Sequence, residues 1–190
     1  MKTRQLALDA ILAAMCAVLG AVSIDLGNLK ISFESLPVLL GALLFGPLDA
    51  LAVGGVGTLI YQLLRYGVTV TTPLWMLPYM LCGALTGWYA KSRGFLLSRR
   101  QLAAAVFAAS LLVFALNTAV LYADSLIFGY YSAAFIFGSL LPRLLICLAK
   151  AAAFTAVLPT LLRAADRANT WSSSLMVPPT AHRLLWQLVS

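Results

Sequence analysis

The chain has 190 residues, 62% of them hydrophobic and only 10% charged, against about 25% charged in soluble domains. With a mean hydropathy of +0.95, this excludes a single water-soluble core, and the length leaves room for about six spanning helices but none for a separate catalytic or nucleotide-binding domain. The net charge of +7 comes from thirteen Lys and Arg gathered between apolar runs rather than along one basic face, which sets nucleic acid aside as a partner.

The first apolar run is Leu6 to Ser23. Lys2 and Arg4 before it and Ala21-Val22-Ser23 at its end imitate a cleavable leader, but its length, its Asp9 and the apolar runs that follow point to a retained first helix. Ala10 and Ala14, with Ala13 and Ala17 on an adjoining stripe, give it small-residue faces suited to close helix contact in lipid. The second run, Phe33 to Phe45, is short, contains Pro37 and closes on the breaker pair Gly46-Pro47. The third, Ala50 to Leu64, carries Gly54, Gly55 and Gly57; without the Lys of a phosphate-binding loop, these glycines indicate close packing. Both runs are too short for comfortable lipid-exposed spans and are expected to pack together or tilt.

Leu74 to Ala90, with Pro78 inside it, Leu102 to Leu121, and Leu140 to Leu162 complete six helices, which puts both termini on one side. Composition then changes through Ser172-Ser173-Ser174 and Pro178-Pro179. The expected organisation is a membrane domain over residues 1–163 and a tail over 164–190. That tail is either flexible or ends in an interfacial helix built on Leu184, Leu185, Trp186, Leu188 and Val189.

Orientation follows from the cations. Nine Lys and Arg (Lys2, Arg4, Lys91, Arg93, Arg99, Arg100, Arg163, Arg167, Arg183) fall on the side of the termini, against only Lys30 and Arg65 in the opposite loops. This places both termini in the cytoplasm. The three cysteines, Cys16, Cys82 and Cys147, lie inside apolar runs and form no CxxC pair, and the single histidine, His182, lies in the tail. No metal site, cofactor or catalytic triad is expected from such a set, which counts against a membrane enzyme acting on a lipid.

Arg143 and Lys150, seven residues apart, share one face of the sixth helix. Cations at such depth need partners, and two readings stay open: an anionic ligand gripped by Arg143, or snorkelling of Arg143 with an internal ion pair for Lys150. Asp9 and Asp49 are expected near the inner side, and Asp25, Glu34 and Asp124 in outer loops. Aromatic and amide groups gather on the outer side: Tyr61, Tyr66, Trp75 and Tyr79 around the third-to-fourth loop, Asn117 and Tyr122 at the end of the fifth helix, Tyr130 and Tyr131 after it. Only Trp88 and Tyr89 mark the inner edge, so the excess suggests stacking surfaces for a flat ring, with Asn117 meeting its edge.

Ala10-xxx-Ala14, Phe33-Glu34-Ser35-Leu36-Pro37, Leu44-Phe45-Gly46-Pro47 and the Gly-rich third helix together resemble the substrate-binding S component of energy-coupling factor (ECF) vitamin transporters. Leu116-Asn117-Thr118, Tyr130-Tyr131-Ser132-Ala133-Ala134-Phe135 and Leu141-Pro142-Arg143 look most like the folate-specific branch. The resemblance spans about residues 5–163. It implies an all-α integral membrane protein, a six-helix S-component bundle in the bacterial plasma membrane. That bundle would capture a vitamin outside, gate it with the first and third loops, and deliver it inward with a membrane coupling (T) subunit and two ATPase subunits.

Ala10 and Ala14 match the small-residue motif that docks on the coupling subunit. The expected substrate contacts are Phe33, Tyr61, Arg65, Trp75, Tyr79, Asn117, Tyr122, Tyr131, Arg143 and Lys150. Folate offers a flat pterin to the aromatics and a glutamate carboxylate to Arg143; riboflavin, thiamine or a related vitamin is the alternative within the family. Outside the family the alternatives are a small integral-membrane enzyme acting on a lipid and, third, a small channel or scaffold whose cations pair internally.

Overall fold

The computed structural model describes residues 3–26 and 29–169. The apolar runs fold as α1 (Thr3–Ala21), α2 (Ser35–Leu44), α3 (Pro47–Tyr66), α4 (Thr72–Ser92), α5 (Arg99–Ile127) and α7 (Leu140–Asn169), with a five-residue α6 (Ala133–Phe137) before the last. Most of the expected tail, residues 170–190 with His182, lies outside the described residues.

Several boundaries differ from the sequence reading. α3 is a full-length helix of 20 residues rather than a short one, because Pro47 opens it and Asp49 complements its first turn. α5 runs two turns beyond Leu121, so Asn117 lies inside it instead of near its end. Its start is a capping box in which Ser98 Oγ accepts from the Gln101 backbone N–H and the Gln101 side chain accepts from the Ser98 N–H. The first loop contains an antiparallel hairpin, β1 (Ile24–Leu26) with β2 (Leu29–Ile31), paired Ile24 to Ile31. By length and composition, three helical stretches among the described residues can cross a membrane, Pro47–Tyr66, Arg99–Ile127 and Ala133–Ala165, while Gln5–Ala21 and Ser35–Leu44 are shorter apolar helices.

Glycines set the tightest helix contacts. A Cβ on Gly57 of α3 would lie 2.5 Å from Cys16 Cβ of α1, and one on Gly54 would lie 2.7 Å from the Tyr79 carbonyl of α4. From the other side, Cβ atoms on Gly83 and Gly87 of α4 would meet the Ala50 carbonyl and Pro47 N at 2.6 Å. Backbone therefore lies on backbone across α1, α3 and α4, as small residues permit in lipid.

One end of the bundle is the base. There Gln5 of α1 donates to Asp49 of α3 at 2.8 Å, Phe95 approaches the α2–α3 turn at Gly46, and Leu162 of α7 packs on the cluster holding Leu97 and Leu102. The other end carries the hairpin, the α3–α4 loop and the α5–α6 connection. α2 starts well below it: its 10 residues rise only about 15 Å, half a bilayer's hydrocarbon thickness. The space above α2 is roofed by the hairpin, whose second strand rests on α7.

Candidate functional site

Two chambers lie toward the hairpin end. The deeper one is lined by Ser35 at the start of α2, Ser110, Val113 and Phe114 of α5, and Arg143, Ile146, Cys147, Lys150 and Phe154 of α7. Its interior of about 70 Å³ holds a few waters and no vitamin-sized molecule. The second is lined by Gln62, Tyr66, Thr69, Thr71, Trp75, Leu121, Asp124, Phe128 and Tyr130, and at about 340 Å³ it falls in the range of small-molecule sites. A groove of about 470 Å³ nearer the base, between α4 and α5, is lined mainly by alanines and leucines and has no charged side chain.

Helix period brings both cations of α7 into the deep chamber. The Lys150 ammonium donates to the Ser32 carbonyl at 3.2 Å, tying α7 to the end of the hairpin, and Phe33 meets Phe154 edge-on beside it with centroids 6.1 Å apart. Arg143 differs: its Nη1 is buried and has no hydrogen-bond partner among the described residues. Guanidinium nitrogens are not left bare at depth without cost, so the cavity presents an unfilled demand for an acceptor.

Above α2, the Glu34 carboxylate is 1% exposed. It accepts from Ser32 Oγ at 2.9 Å and from the Tyr79 hydroxyl, which Asn117 and Ser32 also face. Gly20 makes the room, since a Cβ there would meet Glu34 Oε2 at 2.7 Å and the Tyr61 ring at 2.9 Å. Tyr61 is buried in turn, its hydroxyl donating to that of Tyr66 at 3.3 Å.

In the second chamber Asp124 receives Trp75 Nε1–H on Oδ1 at 3.4 Å and the Tyr130 hydroxyl on Oδ2. Burial and the Asp124 carboxylate push the Tyr130 phenol up to about 12, so it remains a protonated donor throughout the physiological range.

Of the sequence-predicted contacts, Arg143 and Lys150 share one chamber, Trp75 lines the other, and Tyr79, Tyr61 and Asn117 lie around Glu34. Tyr122 and Tyr131 stack edge-on at 5.6 Å on the exposed surface, and Arg65 is exposed in the last turn of α3. Ala10 and Ala14 are exposed on α1, away from both chambers. Glu34 and Asp124 do not lie in solvated outer loops as expected; both are buried, the first at the α2 N-cap and the second inside α5. Asp124 had a signal that ending the fifth run at Leu121 concealed: it is seven residues beyond Asn117, on the same face of one helix.

Partly open chambers within an apolar helical bundle, each lined by a few converging polar groups, are the anatomy of a ligand-binding membrane protein. The chain belongs to the substrate-specific component family of ECF transporters, whose model matches residues 4–164. Members are substrate-binding transporter subunits in membranes, not enzymes. Among solved structures it is similar to FolT bound with folic acid, at 24% identity and TM-score 0.63 over 84% of this chain and 96% of that one. It is also similar to the S component of a bacterial ECF transporter, at 18% identity and TM-score 0.61 over 90% and 99% of the two chains. These likenesses are of fold. Among curated proteins none matches the chain.

Proposed function

We propose that the chain captures a vitamin of the folate class outside a bacterial cell and hands it inward together with a coupling subunit and two ATPase subunits. The observation that carries this reading is Arg143: a buried guanidinium nitrogen without a partner among the described residues, in a chamber it shares with Lys150. A carboxylate-bearing ligand supplies the missing acceptor, in bidentate form. The fold shared with folic-acid-bound FolT favours a folate among such ligands.

In this reading the hairpin end faces outside and the base faces the cytoplasm, with both termini, in agreement with nine cations against two. Residues 1–163 form the capture domain and 164–190 an appended tail. The exposed small-residue face at Ala10 and Ala14 receives the coupling subunit. Because the deep chamber in this closed arrangement is too small for a vitamin, the hairpin lifts to admit the ligand, and Lys150 leaves the Ser32 carbonyl as it does.

The test is calorimetry of the purified, detergent-solubilised protein against folate, riboflavin and thiamine. Tight binding of folate alone is expected, with quenching of Trp75 emission. Tight riboflavin or thiamine binding without folate binding would redirect the assignment within the family.

A further inference from the structure

Ser110, Phe114, Asn117, Leu121 and Asp124 follow one another at spacings of four, three, four and three residues, so they form a single stripe on α5. The stripe begins in the chamber of Arg143 and ends in that of Trp75 and Tyr130. From Phe114 to Asp124 it rises about 15 Å. Its two ends have opposite chemistry, guanidinium and ammonium at one, a buried carboxylate at the other.

The geometry points to Asp124 as the residue that reads the ligand's ring: it accepts a pair of adjacent N–H donors, the ring N3–H and the 2-amino group of a 2-amino-4-oxo pterin-type heterocycle, with Trp75 beside it. Each carboxylate oxygen offers two acceptor directions, and within the chain each is given one donor, Trp75 N–H on Oδ1 and Tyr130 O–H on Oδ2. One acceptor direction per oxygen remains, which matches in number the two donors of a donor–donor edge. The chamber's volume of about 340 Å³ accommodates a bicyclic ring, and Trp75 and Tyr66 supply the flat apolar surface it stacks on. Arg143 then holds the carboxylate tail at the other end of the stripe. A ligand that merely carried a carboxylate would leave Asp124 facing an apolar or acceptor edge, so the two ends together select an elongated molecule of mixed polarity.

This inference rests on the proposed capture of a folate-class ligand, and calorimetry separates the two. Wild-type protein is titrated with folate, with its 2-desamino analogue and with its 2,4-dioxo analogue, in which oxygen replaces the amino group. Folate is expected to bind about tenfold to a hundredfold tighter than either, because each analogue leaves a charged acceptor unpaired. The Asp124→Asn variant, which presents one acceptor and one donor, should reverse the order and favour the 2,4-dioxo compound. A wild-type protein that binds folate and the 2-desamino analogue alike overturns the Asp124 assignment and leaves the folate reading standing. So does an Asp124→Asn variant that weakens all three ligands equally. Absence of folate binding by wild-type protein overturns both.

Discussion

At Arg143 the question is whether the buried guanidinium serves folding or ligand. A purely structural arginine at depth finds its acceptors within the chain, yet Nη1 has none among the described residues, and the nearby Lys150 adds a second positive charge to the same chamber. Removing the charge should therefore cost ligand more than fold. Arg143→Gln is expected to weaken binding of a carboxylate-bearing ligand by about tenfold to a hundredfold, while the thermal midpoint of the ligand-free protein stays level or rises. Arg143→Lys should recover only part of the affinity, since an ammonium cannot grip both carboxylate oxygens in one plane. Titration calorimetry and a thermal melt on the same preparation measure the two effects. A variant with unchanged affinity and a lower midpoint would assign Arg143 to the fold.

Between α1, α3 and α4 the bundle is held by contacts that leave no space for a methyl group. In open space Gly→Ala within a helix gains up to about 1 kcal/mol, whereas overfilling a packed contact loses about 1–3 kcal/mol. At Gly57 the second effect wins, because the added Cβ would sit 2.5 Å from Cys16 Cβ and 2.9 Å from the Ala13 carbonyl, neither of which can rotate away. At Gly55 the same atom meets only the Met80 side chain, at 3.3 Å. Gly57→Ala is thus expected to lower the melting temperature and Gly55→Ala to leave it level or raise it, as a fluorescence-detected melt would show.

The same elements show how much was legible in the sequence. Six apolar runs, Gly46-Pro47 and the small residues of α3 announced the bundle because hydrophobic length and backbone breakers act locally. The hairpin was missed although Gly27-Asn28, a two-residue turn signal, lies between its strands; three-residue strands are too short for alternation to register. The chemistry was half legible. Two cations seven residues apart on an apolar helix stand out in any reading, but Glu34 and Asp124 looked like loop acids, since burial arises only when α4, α5 and the hairpin close around them.

For the molecule as a whole, the distribution of charge predicts its placement across the bilayer. Val68 in the α3–α4 loop is 86% exposed, and Arg93 at the base is exposed as well, while the native cysteines are all buried. A membrane-impermeant maleimide should label Val68→Cys in intact cells and should reach Arg93→Cys only after the membrane is opened. The reverse pattern would invert the topology and with it the direction of capture.

Because α2 starts low, the headroom beneath the hairpin is a matter of chain length more than of side chains. One further helical turn at its start would raise the floor by about 5.4 Å and displace the hairpin from its rest on α7. In the proposed capture role, chain length before α2 thus governs the room above Ser35 in the deep chamber, and point substitutions along the α5 stripe choose among molecules that fit there.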